Sequence, residues 1–356
     1  MLWSEAKDTD MVKITRRSVL QGTAAASLST GAGMFSRPVA AQEDELYQAA
    51  KKEGRLTRYD GIFEQKTIEA IIEAFKAKYS GIDVQLLRQP SQTLYTRLRL
   101  EIQNGVAECD TLGTTNILHF VELKKINELA AYVPKDLDKA PAAFRDIDPD
   151  HTFHTAALSV TCINYSPQKA PKPPTSWTEL VEGTWAGKIS VGSPAVSGDV
   201  ASWVVAMRHK YGDKFLKDLA AQKPKIGGSS VDTVTDILAG ERSVGAGAPF
   251  SYSLAQKAAG QPIDVSMPTD DAILNLGVTA VLAKAPHPNA SRLFANFLQS
   301  VECSQILAKA FWPTLRSDVP WAEGRTLETV KWYRNPVDGL AAEVAEGVAK
   351  WKEILG

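Results

Sequence analysis

From Arg55 onward, short apolar runs alternate with stretches whose apolar residues recur every three or four positions. This alternation constrains the fold more than any other feature of the chain. Arg55 to Tyr59 reads as a strand and Gly61 as a turn, and Ile68, Ile71, Ile72, Phe75 and Tyr79 follow at helical spacing. Ile82 to Leu87 is the next strand. Leu94, Leu98 and Ile102 mark a second helix, and Cys109 to Leu112 is a short buried strand ending in Gly113-Thr114-Thr115-Asn116. Strand, helix, strand, helix, strand predicts a mainly parallel sheet with helices on both faces.

A longer run rich in β-branched residues, Thr155 to Tyr165, is followed by the proline-dense stretch Ser166 to Pro174, a boundary by composition. A second alternating set comes next. Helices are expected at Trp177 to Val181, Asp199 to Lys210, Asp213 to Ala221, Val231 to Ala239 and Leu254 to Ala259. Strands are expected at Lys188 to Val191, Ser243 to Ala248 and Ile263 to Met267. Leu276 to Ala283 is another long apolar strand, and Asn289 to Leu298 and Cys303 to Phe311 are helices. At the end, Leu340, Val344, Val348, Trp351 and Leu355 fall near one helical face. Two α/β bodies fit the 356 residues comfortably.

Ahead of this body stands Thr15-Arg16-Arg17-Ser18-Val19-Leu20, then the weakly apolar run from Gln21 to Phe35, then small residues at Val39 and Ala41. Positive charge, soft apolar region and a cut after Ala41 make a bacterial export signal over residues 1–41. The paired arginines resemble the twin-arginine type, which serves proteins exported already folded. The expected destination is the periplasm, and Met11 is a second candidate start. Loss of 1–41 removes five basic and three acidic residues and takes the net charge from -1 to -3. A near-neutral chain offers no electrostatic footprint for nucleic acid, and no run of about 20 apolar residues offers a membrane span. Cys109, Cys162 and Cys303 are too few for a disulfide framework, and their spacing predicts no pair.

Several local motifs match one family. Trp177-Thr178-Glu179-Leu180 followed by Trp185-Ala186-Gly187-Lys188-Ile189, the turn Ala239-Gly240-Glu241, Pro286-His287-Pro288-Asn289-Ala290 and Ser300-Val301-Glu302-Cys303-Ser304-Gln305 resemble elements of the solute-binding proteins of ABC importers. The resemblance is to the branch that includes ferric-iron, phosphonate and other organic-ligand binders. The resemblance covers roughly residues 43–325. It implies a two-lobed clamp, with Thr155 to Tyr165 and Leu276 to Ala283 crossing between the lobes. Lobe one would be 43–158 plus 282–356 and lobe two 159–281. A ligand would sit between them, and closure by hinge motion would present it to a permease in the inner membrane. A monomer without cofactor or enzymatic activity is expected.

Ligands of open α/β sheets lie beyond the carboxyl ends of strands. Here those loops supply Gly61 and Phe63, Ser91, Thr114, Thr115 and Asn116 in lobe one. Lobe two supplies Ser193, Ser197 and Gly198, Ser229 and Ser230, and Phe250 and Tyr252. Hydroxyls and backbone N–H groups at helix starts suit a carboxylate or phosphate, and they equally suit plain helix capping. The expected ligand is therefore a small organic anion, phosphorylated or phosphonate-bearing among the options. Phe63, Phe250, Tyr252 and Trp312 fit either an apolar wall around it or the core. Asp271, beside Asp270, would receive a ligand amine or shape a turn.

Iron-binding members of the resembled family carry adjacent tyrosines where Phe250-Ser251-Tyr252 stands and a histidine or acid near Phe63, so the match is broken and no metal site is assigned. A ferric-iron carrier using Tyr252 with Tyr59 or His119 stays as the alternative. His151 and His154 have a metal-compatible spacing without further ligands nearby. An exported hydrolase is the second alternative, although no G-x-S-x-G elbow, phosphate loop or H-E-x-x-H occurs.

Overall fold

The computed structural model describes residues 39–356, and their side chains from Glu43 onward. The export signal lies outside the described residues except for its last three positions, which open the first helix. The chain runs α1 (Val39–Glu53), β1 (Arg55–Asp60), α2 (Gln65–Lys78), β2 (Asp83–Arg88), α3 (Ser91–Gln103), β3 (Thr111–Thr114) and α4 (Ile117–Lys125). A short α5 (Ala142–Arg145) precedes the long β4 (His154–Tyr165). Then come α6 (Trp177–Leu180), β5 (Ile189–Val191), α7 (Gly198–Tyr211), α8 (Lys214–Ala221), β6 (Lys225–Ile226), α9 (Asp232–Leu238), β7 (Val244–Pro249), α10 (Phe250–Ala258) and β8 (Asp264–Ser266). The chain continues through β9 (Ala272–Val281), α11 (Pro288–Leu298), α12 (Val301–Lys309), β10 (Trp332–Tyr333) and α13 (Leu340–Leu355).

The strands lie in the order β2-β1-β3-β9-β4-β7-β5-β6, with β10 beside β9 and β8 beside β4. At one end β2, β1 and β3 are parallel; at the other β7, β5 and β6 are parallel. Between them the two long strands β4 and β9 pair antiparallel from His154 opposite Thr279 to Thr161 opposite Ile273. β9 also pairs antiparallel with β3 in one group, and β4 with β7 in the other. Two parallel α/β bodies joined by a pair of crossing strands is the two-lobed clamp architecture. The second crossing starts at Ala272 rather than Leu276, because Asp271 turns the chain with φ 82° immediately before it.

Each parallel group is covered on both faces, as burial of such sheets requires. Ile68, Ile71 and Phe75 of α2 pack with Phe294 and Phe297 of α11, whose rings stand edge-on to Phe75 at 5.1 and 5.6 Å. Leu94 and Leu98 of α3 and Phe120 of α4 cover the opposite face. In the second group Trp203, Val204, Phe215 and Leu216 of α7 and α8 surround Ile189, Val191 and Val244. The stripe of α13 is buried against α7 and α8, with Trp351 in their core. It therefore packs on helices from the middle of the chain. Periodicity marks a buried face without naming the surface that covers it.

A buried ion pair ties the first group to the crossing. Arg58 donates through Nε and Nη2 to Asp60 Oδ2 at 3.0 and 2.7 Å and through Nη1 to Thr279 Oγ1 at 2.6 Å. The other oxygen of Asp60 accepts from the backbone N–H of Ile62 and Phe63, both at 3.0 Å. Cys109, Cys162 and Cys303 are buried free thiols, and burial pushes Cys303 up to about 12.

Candidate functional site

The turn after β3, the start of α7, the crossing strand β9 and the C-terminal segment border a cavity of about 130 Å³. Thr115 and Asn116 reach it from the β3–α4 turn, Gly198 and Asp199 from the start of α7, Leu274, Asn275 and Leu276 from β9, and Arg334, Asn335 and Leu340 from the C-terminal segment. Its wall combines apolar side chains with several polar and charged ones, a make-up that suits a small molecule.

On the first side, Ser91 at the start of α3 organises the wall. Its Oγ donates to the Gly61 carbonyl at 3.0 Å, accepts from Thr115 N at 3.1 Å and lies 3.2 Å from Thr115 Oγ1. Gly61 is required there, because a Cβ would fall 2.8 Å from Ser91 Oγ. Asn116 caps α4 by accepting from Leu118 N at 3.1 Å. Thr114 Oγ1 sits 3.1 Å from His119 Nδ1. His119 stacks on Tyr95 at 4.2 Å, and burial pulls it down to about 4, so it is neutral at pH 7.

On the other side Ser197 caps α7, accepting from Val200 N at 3.4 Å. Gly198 and Asp199 follow. Asp199 Oδ1 accepts from Ser159 Oγ of β4 at 3.3 Å and from Asn275 Nδ2 of β9 at 3.1 Å. Burial pushes the Asp199 carboxyl above its ordinary value, the charge of Glu64 adds to that, and the two hydrogen bonds oppose it. Asn335 fastens the C-terminal segment to α7 by donating to Ser202 O at 2.9 Å and Ser202 Oγ at 3.0 Å. Arg334 beside it is half-buried, its Nη1 has no partner among the described residues, and desolvation shifts it downward.

Of the residues expected at the site, Thr115, Asn116 and Gly198 line the cavity, with Gly61, Ser91, Thr114 and Ser197 directly behind them. Other expectations are corrected. Phe63 is fully buried and packs edge-on to Trp312 at 5.3 Å. Phe250 is fully buried against Trp321 at 5.4 Å, and Tyr252 packs on Val234, Ile237, Ala248 and Ile263. These aromatics belong to different cores and form no common wall. Ser229 is also occupied: Asp232 accepts from Gly228 N at 2.6 Å, Ser229 N at 3.1 Å and Ser229 Oγ at 3.1 Å, while Ser230 is buried and its carbonyl accepts from Thr233 Oγ1. The chain's own carboxylate fills that cradle. Ser193 Oγ accepts from Ala195 N within its own turn. Asp271 pairs with Lys210 at 2.6 Å, and Asp270 receives Trp177 N and the Tyr211 hydroxyl, so this pair pins α6 and α7 to the start of β9.

The donors named for iron stand apart. The Tyr59 phenol donates to Glu101 at 3.0 Å and is pushed far up by burial, His119 is engaged by Thr114, Asn116 and Gln92, and Tyr252 packs elsewhere. His151 lies in a turn with φ 53° and His154 begins β4, so they share no helical face. Among the described residues no group of three or more His, Cys, Asp and Glu could hold a metal ion, and no helix is long and apolar enough to cross a membrane.

Asp199, Asn275, Arg334 and Asn335 were missed by sequence reasoning. Asn275 carried a usable signal, a lone amide inside the apolar run Ile273-Leu274-Asn275-Leu276. Arg334 and Asn335 carried none, since they lie beyond the motif-bearing span.

Residues 70–320 match the family described as bacterial extracellular solute-binding protein. A Salmonella paratyphi A protein provisionally named a 2-aminoethylphosphonate-binding periplasmic protein is 22% identical over 78% of this chain and 84% of its own. The substrate-binding protein of an ABC transporter from Agrobacterium tumefaciens superposes with a TM-score of 0.74 at 19% identity, covering 85% of this chain and 94% of that one. Iron-bound HitA from Pseudomonas aeruginosa superposes with a TM-score of 0.71 at 19% identity, over 85% and 99% of the two chains. The chain belongs to the family of bacterial extracellular solute-binding proteins.

Proposed function

We propose that this extracellular solute-binding protein is the periplasmic receptor of an ABC importer and that its cavity takes a small organic anion. The observation that carries the reading is Arg334, a half-buried guanidinium at the cavity with no carboxylate partner among the described residues. A buried charge left unpaired is costly unless a ligand completes it. The starts of α4 and α7 add their dipoles on the same cavity, and Leu274, Leu276 and Leu340 offer apolar surface to a carbon body. The provisional name of the Salmonella relative, an organophosphonate binder, agrees in chemistry.

In this reading the chain is exported through its twin-arginine signal, works as a monomer by binding and release, and closes by bending at β4 and β9. Closure presents the loaded form to the permease, and the ligand stabilises that form by its differential affinity for it. Residues 43–158 with the following part of 282–356 move as one body against 159–281 with α13. Thermal-shift measurement on residues 42–356 tests the ligand class: carboxylates, phosphonates and phosphate esters should raise the Tm by several degrees. Stabilisation by ferric ion with none by any anion would refute it.

A further inference from the structure

The cavity that holds Arg334 is also bordered by groups that lack donors. Asp199 spends Oδ1 on Ser159 and Asn275, and among the described residues its Oδ2 has no hydrogen-bonding partner. Asn275 and Asn335 are 7% and 5% exposed. Their amide orientations are fixed, because each Nδ2 donates to an obligate acceptor, the Asp199 carboxylate in one case and the Ser202 carbonyl in the other. Each Oδ1 is thereby left buried without a donor. Buried acceptors are nearly always satisfied, so two unsatisfied ones beside a single small cavity call for a reason.

Charge sharpens the point. A ligand carrying only negative charge would satisfy Arg334 and be repelled by Asp199, with Glu64 acting on the same site. A ligand with a positive end would be held at both places, and its N–H groups are the donors that the three oxygens lack. We infer that the ligand is a zwitterion, its anionic group at Arg334 and a protonated amine at Asp199, Asn275 and Asn335, joined by a short carbon body. The cavity, about 130 Å³, lies below the roughly 300–1,000 Å³ of drug-sized ligand pockets, which suits a compact molecule of this kind. This inference rests on the organic-anion reading above and narrows it.

The test uses pairs of probes that differ only by the amine: 2-aminoethylphosphonate and ethylphosphonate, β-alanine and propionate, taurine and ethanesulfonate. Calorimetric titration of the exported chain should find at least one aminated member binding at least tenfold more tightly than its counterpart. Asp199→Asn should erase that preference by weakening the aminated member and tightening the amine-free one, as loss of the Asp199 charge removes both attraction and repulsion, and circular dichroism checks that the variant is folded. Equal or tighter binding of the amine-free members would overturn the inference and leave the anion reading standing. Failure of all aminated members also overturns it, and if the amine-free anions fail too, the anion reading falls with it.

Discussion

Asn275 on β9 donates through Nδ2 to Asp199 Oδ1 at the start of α7, at 3.1 Å. Ser159 on β4 reaches the same oxygen. Both crossing strands therefore hold one carboxylate in the wall of the cavity, so bending at the crossings would reposition it.

This arrangement costs stability in the empty protein. Because burial holds the Asp199 carboxyl above its ordinary value, the native state retains its proton to higher pH than the unfolded chain. Stability is lost as pH rises through the ordinary carboxylate range and stays lost above it. Asp199→Asn should raise the Tm of the empty protein at pH 7 and leave it unchanged near pH 3. Scanning calorimetry at the two pH values reads this, and a lower Tm at pH 7 would contradict it.

Two buried histidines set an acid limit. His119 and His154 are both pulled down to about 4 by burial, so the unfolded chain binds protons that the native one refuses between about 6.5 and 4. Each should cost about 1.2 kcal/mol at pH 5.5 relative to pH 7. Asp148 acts in a lower window, since Lys124 and Thr152 hold it near 2 against its burial and its contribution fades only below its ordinary value. Urea unfolding of His119→Gln with His154→Gln should therefore lose stability less steeply than the parent from pH 7 to pH 5.

Gly113 lies against the buried ion pair, and a Cβ there would fall 1.9 Å from Arg58 Nη2. Gly113→Ala should displace Arg58 from Asp60 and cost about 3–5 kcal/mol, the range for breaking one buried pair. The urea midpoint measures this; a loss under about 1 kcal/mol would mean that the guanidinium has room to move.

Hydrophobic spacing made the fold legible. Ile68, Ile71 and Phe75 lie on the predicted buried face, and the run from Thr155 to Tyr165 is the first crossing. Half of the site was legible for the same reason: loops after strands point to one edge, and Ser91 with Thr115 stands there. The rest depended on long-range placement. Asp232 folds back on its own loop, Phe63 turns into a core with Trp312, and Arg334 arrives from a segment that periodicity leaves unassigned.

The central claim is that Arg334 receives an organic anion in the cavity. Native mass spectrometry of the protein taken directly from the periplasm tests it most directly, on the parent chain and on Arg334→Gln. The parent should carry a small organic adduct bearing a carboxylate, phosphate or phosphonate, and the variant should lose it at equal purity and unchanged fold. A ferric adduct on the parent, or the same organic adduct retained in full by Arg334→Gln, would contradict the account.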